Sequence, residues 1–277
     1  MVFKIIGIDF LCETMITVIG LGEIGTEVFK EITKVLGKDN VFGVDINQQT
    51  LEKFESEGYI VGEKAPVSDV YIICVYLTDQ VIAVMKNLDY SKKPLISIDA
   101  TILPGTSEKI LAWKKEENLE FDYILFPHRF NPNDPTHHVF NLHRVIGGEN
   151  ETALARGLNF FTQFMDPSLI HTFPLNVVEL TKPVENAYRF MEIAIAQQLK
   201  LSCEEKGIEF EKLREAASTK WNIHIYEARD GVGGKCLPKD IKLINEFFPG
   251  NELFKKGIEF NETYKEKYVK KETEKVR

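Results

Sequence analysis

Along the chain, short solid apolar runs alternate with stretches whose apolar residues recur every three or four positions. Solid runs of strand length predict strands buried on both faces of a sheet, and the three-to-four period predicts amphipathic helices. Met15–Gly22 reads as a first strand running into a glycine turn, with a helix over Thr26–Leu36. Further strands are predicted over Val41–Ile46, Val70–Leu77, Leu95–Thr101, Tyr123–Pro127, Arg144–Gly148 and Leu169–Phe173. Helices are predicted over Thr50–Glu57, Ser107–Glu117 and near Asn150–Met165. Alternation of this kind predicts an α/β fold with a doubly wound parallel sheet, helices covering both faces.

The pattern changes near Asn176, after which it is mainly helical. A long amphipathic helix over Val184–Lys206 carries an apolar stripe that includes Ala187, Phe190, Met191, Ala194 and Leu199. One such helix in a short domain leaves too much apolar surface exposed, so the stripe is expected to pack against a second copy of the chain. A segment rich in glycine and charge, Glu227–Asp240, interrupts the helices, and the tail from Lys265 reads as a charged, solvated helix end.

Composition narrows the class. The 277 residues suit two domains. With 44% hydrophobic and 27% charged residues the chain has ordinary globular composition, and its net charge of −8 argues against nucleic-acid binding. No apolar run reaches the ~20 residues of a membrane helix, so no membrane association is expected. Cys12, Cys74, Cys203 and Cys236 form no CxxC pair, which suggests a reducing cytoplasm with neither a disulfide framework nor a zinc site. Cys74 and Cys203 sit in apolar surroundings and read as buried bystanders.

Gly20-Leu21-Gly22-Glu23-Ile24-Gly25 fits G-x-G-x-x-G, between an apolar strand and a helix. The first glycine permits the tight turn, the second lets backbone approach a pyrophosphate, and the third lets helix and strand pack closely. The helix N-terminus offers free N–H groups to the phosphates. Asp45 ends the second strand, where an acid binds ribose hydroxyls and repels a 2′-phosphate, favouring NAD over NADP. Residues 1–175 are therefore expected to form a Rossmann domain holding NAD. Gly20, Gly22, Glu23, Ile24, Gly25, Asp45, Val75 and Thr101 are its candidate cofactor contacts. Residues 176–277 are expected to form an all-helical central dimerisation domain. The first 14 residues read either as an extra edge strand or as an artefact of the chosen start, with Met15 the natural one. The second is preferred because Rossmann domains often begin on the glycine-motif strand.

Three other segments carry candidate chemistry. Asp99-Ala-Thr101-Ile-Leu-Pro-Gly105-Thr106 follows a strand, at the end where ligands of open α/β sheets bind. Lys182 and Asn186 are four apart and share a helix face, where together they can stabilise an oxyanion. Pro183 places Lys182 either just before the helix or at a kink. Gly231-Val-Gly-Gly-Lys-Cys236-Leu-Pro-Lys-Asp240 surrounds a thiol with flexible backbone and positive charge, which favours a reactive thiolate, unless Cys236 is a buried structural thiol in a glycine turn.

Taken together, and collinearly from Met15 to Phe260-Asn261-Glu262, these segments resemble the UDP-glucose/GDP-mannose dehydrogenase family. The resemblance implies NAD-dependent four-electron oxidation of a nucleotide-sugar C6 alcohol to the uronic acid through a Cys236 thiohemiacetal and thioester. It implies that Lys182 and Asn186 hold the oxyanion, that Asp240 with Lys182 handles protons and the hydrolytic water, and that Thr101 positions water near the cofactor. Lys220-Trp221-Asn222 looks most like the branch acting on N-acetylhexosamine nucleotides. Two features depart from the pattern. His128 stands where the family carries a glutamate that assists thioester hydrolysis, and a neutral imidazole there can still act as a base. The family's third, nucleotide-gripping domain finds no counterpart here, so a separate UDP-binding subunit is one expectation. The other readings are a two-electron β-hydroxyacid-type dehydrogenase, which needs no cysteine, and a non-catalytic NAD-binding relative. His137 and His138 read as surface residues of a loop.

Overall fold

The computed structural model describes residues 14–131, 134, 136–234 and 236–275, with side chains through residue 268. The first 13 residues, including Cys12 and most of the segment before Met15, lie outside the described residues. The chain forms two compact units that divide between Glu179 and Leu180.

The first unit is an eight-stranded sheet with helices on its faces. Its elements run β1 (Ile16–Ile19), α1 (Glu23–Leu36), β2 (Val41–Val44), α2 (Gln48–Ser56), β3 (Ile60–Gly62), β4 (Val70–Ile73), α3 (Thr78–Met85), β5 (Leu95–Ile98), α4 (Thr106–Glu116), β6 (Asp122–Leu125), β7 (Arg144–Gly148), α5 (Glu151–Phe161) and β8 (Ile170–Thr172). The strand order is β3-β2-β1-β4-β5-β6-β7-β8. All pairs from β3 to β6 are parallel, as the alternating pattern predicts.

One strand pair departs from the otherwise parallel sheet. β7 pairs antiparallel with β6, and β8 runs parallel to β7. Residues 126–143 join β6 to β7 without a helix among the described residues, whereas the crossover that returns a chain to a parallel neighbour is usually a helix. The strands are also shorter than their apolar runs: Val70–Leu77 contains a strand only to Ile73, and the helix Thr78–Met85 and strand Ile60–Gly62 went unpredicted.

Alternate strand residues feed two cores. Ile16, Val18, Val70, Ile72, Leu95 and Ile124 face one side. Ile19, Tyr71, Ile73, Ile96, Ile98 and Leu125 face the other. Burial on both faces explains why the strands read as solid apolar runs rather than alternating ones.

Helix α6 (Leu175–Lys206) begins in the first unit and continues through the second, which also holds α7 (Phe210–Ser218), α8 (Cys236–Phe247) and α9 (Glu252–Lys275). Pro183 lies inside α6, so Lys182 is neither ahead of the helix nor at its start. The proline removes one N–H from the ladder, at the carbonyl of Glu179. The apolar stripe of α6 also departs from expectation. Ala187, Phe190, Met191 and Ala194 are buried within the unit, in one cluster with Val232, Ile241 and Ile244. The neighbouring helices of the same chain, absent from a one-helix argument, cover that face. A different stripe stays open: Val184, Tyr188 and Ile195 are 40%, 64% and 58% exposed. No helix among the described residues is long and apolar enough to cross a membrane.

Candidate active site

The glycine turn is shaped by contact with β4. Gly20 has φ +90°, in the left-handed region, and a Cβ there would meet Val75 Cγ1 at 3.0 Å. A Cβ on Gly25 would overlap the carbonyl oxygen of Gly20, so only glycine lets α1 seat against β1. Gly22 faces open space, with nothing within 4 Å of an added Cβ. It is also the N-cap of α1 and offers no side-chain cap, so no side chain competes for the first-turn N–H groups of Glu23 and Ile24. Asp45, just past β2, accepts from Leu21 N at 2.7 Å and from Asn47 N at 2.8 Å. The carboxylate thus holds the glycine turn itself. An open cradle at a helix N-terminus, with an acid beyond the second strand, fits a dinucleotide.

Thr101 lies in the loop between β5 and α4, and that loop is pinned at both ends. At one end, Asp99 is buried together with His128 and Arg144. Its Oδ2 lies 2.8 Å from Arg144 Nη2 and 3.0 Å from His128 Nε2, and all three side chains are 0% exposed. Ser97 Oγ donates to Asp99 Oδ1 at 2.5 Å. Arg144 also donates to the carbonyl of Phe126 and stacks on its ring, Cζ 3.5 Å from the centroid. Burial pushes the Asp99 carboxyl up, but Arg144, His128 and Ser97 together outweigh burial and hold it below the usual carboxylate range. At the other end, Gly105 N and Ser107 N each donate to the Glu179 carboxylate at 2.7 Å. α4 has Gly105 as N-cap and no local side-chain cap, so Glu179 supplies from α6 the anion that its N-terminus favours. Cys74 lies beside the glycine turn, and burial pushes its thiol well above the ordinary range, which keeps it protonated.

The second unit holds a separate polar cluster. Lys182 and Asn186 sit one turn apart on α6, and Cys236 and Asp240 one turn apart on α8. Residues four apart share a helix face. Asn186 Nδ2 donates to Asp240 Oδ2 at 2.6 Å, so the two faces meet. Asp240 is buried, at 1% exposure, and Lys239 Nζ lies 3.5 Å from its Oδ1. Cys236 is exposed and is the first residue of α8, not a thiol enclosed in a glycine turn. First-turn N–H groups there carry partial positive charge that favours a developing oxyanion.

Sequence reasoning singled out most of these residues but gave no role to Asp99, Arg144 or Glu179. A charged residue ending or beginning an apolar strand was the available signal, because a buried charge requires a partner. His137 is exposed and pairs with Asp134 at 2.6 Å.

The first unit is an open sheet with a glycine turn at a helix N-terminus, and the second carries a lysine, an asparagine, a thiol and a buried aspartate. Residues 176–263 match the model of the UDP-glucose/GDP-mannose dehydrogenase family, central domain. It is 27% identical to the UDP-N-acetyl-D-mannosamine dehydrogenase of Methanocaldococcus jannaschii, over 90% of this chain and 65% of that protein. The same-named Escherichia coli protein is 24% identical, over 81% of this chain and 63% of its own length. The chain thus spans less than two thirds of these relatives. Among solved structures, the UDP-N-acetyl-mannosamine dehydrogenase of Staphylococcus aureus superposes with TM-score 0.79 at 25% identity, over 95% of this chain and 71% of that one. A 3-hydroxyisobutyrate dehydrogenase of Salmonella typhimurium shares the fold with TM-score 0.66 at 13% identity, over 92% of this chain and 96% of that one.

Proposed function

We propose that the protein takes part in NAD-dependent oxidation of a nucleotide-sugar C6 alcohol to the uronic acid, with Cys236 as the nucleophile. The observation that carries this reading is the joined α6–α8 cluster: an exposed thiol heading α8, and Asp240 tied to Asn186 one turn from Lys182. NAD, held at the glycine turn by Gly20, Gly22, Glu23, Ile24, Gly25 and Val75 with Asp45 at the ribose, supplies the hydride acceptor when bound.

The first oxidation converts the alcohol to an aldehyde. Cys236 Sγ then bonds the aldehyde carbon, and the carbonyl oxygen becomes the thiohemiacetal oxygen, stabilised by Lys182 and Asn186. Loss of a second hydride, to a second NAD, leaves a thioester. Water adds to its carbonyl carbon, the C–S bond breaks, and the acid and free thiol are released. Asp240, with Lys182, manages the proton of that water, and Thr101 orders water beside the cofactor. The His128 imidazole is turned onto Asp99 and enclosed, which supports holding the Thr101 loop over serving as the hydrolytic base.

The relatives make UDP-N-acetyl-mannosamine the first substrate to try. A two-electron oxidation of a small hydroxyacid is the second reading, supported by the hydroxyisobutyrate dehydrogenase likeness along nearly that enzyme's whole length. The test is to incubate the protein with excess NAD and limiting substrate from both classes and count NADH per substrate consumed. Two per nucleotide sugar, lost in Cys236→Ala, is the expected result. One per hydroxyacid, unchanged in Cys236→Ala, refutes the proposal in favour of the second reading. NAD binding without NADH from any substrate points to a separate nucleotide-binding subunit or to a non-catalytic relative.

We further infer a homodimer, formed through the exposed stripe Val184, Tyr188 and Ile195 on α6. Its spacing of four and then seven residues keeps one face of the helix toward a partner.

A further inference from the structure

The segment that leads to Cys236 is tied to α9 by a buried side chain shortly before the thiol. Val232, four residues before the thiol, is 2% exposed and packs with Ile241 and Ile244 of α8 and Phe190 of α6. Its N–H donates to Asn261 Oδ1 on α9 at 2.7 Å, in a buried bond. Immediately before it, Gly231 has φ +130°, and a Cβ there would overlap the side-chain stem of Lys265, one turn beyond Asn261 on α9. Beyond Val232, Gly233 and Gly234 are exposed, with open space around them, and Cys236 opens α8. Among the described residues, the hydrogen-bonded point nearest before the thiol is therefore the Val232–Asn261 bond.

Asn261 itself is 1% exposed, and its Nδ2 has no hydrogen-bond partner among the described residues. A buried amide with an idle donor is a poor choice for packing, since an apolar residue of the same size carries no desolvation cost. What such a residue cannot supply is the acceptor for Val232 N.

We propose that Asn261 is a positioning residue for Cys236: it acts through the Val232 N–H to fix where the exposed glycine pair begins, and so how the thiol is presented at the head of α8. This rests on the reading of Cys236 as the nucleophile, but its test does not depend on turnover. In the full chain, Asn261→Leu removes the acceptor at similar size, and Asn261→Asp keeps an oxygen in its place.

The readout is the rate of Cys236 alkylation by iodoacetamide as a function of pH, followed on the peptide carrying Cys236 by mass spectrometry. Far-UV circular dichroism and NAD titration serve as controls on the fold. The expected result is that Asn261→Leu binds NAD within twofold of the parent yet alkylates Cys236 at least fivefold differently, with a displaced pH midpoint. Asn261→Asp should stay within twofold of the parent. Equal rates and midpoints in the parent and Asn261→Leu overturn the proposal.

Should Asn261→Leu fail to fold, amide exchange in the parent decides the question. Val232 N–H is expected to exchange at least tenfold more slowly than Gly233 N–H, and equal rates overturn the proposal. A parent that labels as expected but forms no NADH would refute the proposed function while leaving the positioning role of Asn261 standing.

Discussion

Replacing Asp99 by asparagine should cost the first unit about 3 kcal/mol, near the lower end of the roughly 3–5 kcal/mol for breaking a buried ion pair. The carboxylate is the counter-charge of a guanidinium that is itself 0% exposed, 2.8 Å away. Asparagine keeps an oxygen but not the charge. The lower end is expected because Arg144 retains the Phe126 carbonyl and its stack on the Phe126 ring. Against a typical total stability of about 5–15 kcal/mol, the loss should be plain in a urea melt. Trp113 is partly buried and packs against Tyr90 and the buried Phe121 in this unit, whereas Trp221 is 92% exposed, so intrinsic fluorescence reports mainly on the unit that holds Asp99. A double-mutant cycle with Arg144→Met isolates the pair, and a coupling above about 1.5 kcal/mol is expected.

The sign with pH follows from the depressed Asp99 carboxyl. A carboxyl held below its unfolded value of about 3.9 stabilises the fold above that pH, and the contribution fades as pH falls through the folded value. The difference between parent and Asp99→Asn should therefore be full at neutral pH and close progressively below about pH 4. A cost under about 1 kcal/mol at neutral pH, or strict additivity with Arg144→Met, would refute this account of the Asp99 cluster.

Three further outcomes are expected. Gly25→Ala forces a methyl into the Gly20 carbonyl, so α1 must move off β1; calorimetric titration should find NAD binding weakened at least tenfold, and parent-like affinity would count against the close approach. Asp45→Ala frees Leu21 N and Asn47 N and removes the proposed ribose acceptor, so NAD affinity should fall about tenfold while NADP loses less; equal losses for the two cofactors would contradict the proposed role. Tyr188→Glu combined with Ile195→Lys should convert a dimer to a monomer in sedimentation at micromolar concentration, and a monomeric parent would remove the dimer inference.

Much of the first unit was legible because its signals are local. A strand buried on both faces must be apolar throughout, and a glycine motif works only between such a strand and a helix, so β1, α1 and Asp45 follow from spacing alone. The reversal at β7 was not legible, because no residue in Arg144–Gly148 encodes its direction relative to a neighbour. What encodes it is the loop of residues 126–143, whose composition says nothing of where it returns. The strand ends failed for a related reason: residues such as Val75 and Leu77 continue the apolar run but serve the glycine turn and the cap of α3 rather than the ladder.

The candidate site divides along the same line. Lys182 with Asn186 was visible as a pair because it is one turn of helix, whereas Cys236 and Asp240, one turn apart on α8, fell in a segment read as interrupting the helices. That the two pairs meet through the Asn186–Asp240 bond was not visible, since it joins residues 54 apart in sequence. The α6 stripe shows how far this matters. Ala187, Phe190 and Ala194 do form an apolar face, and the reading of the period was sound, but periodicity identifies a face that needs covering without naming what covers it. Here α8 supplies Ile241 and Ile244, and the loop before Cys236 supplies Val232. The same packing that satisfies α6 therefore also seats the segment that presents the thiol. A helix read alone as a dimer surface is in fact part of the support for Cys236, and the case for a second copy passes to the residues that packing leaves outside, Tyr188 and Ile195.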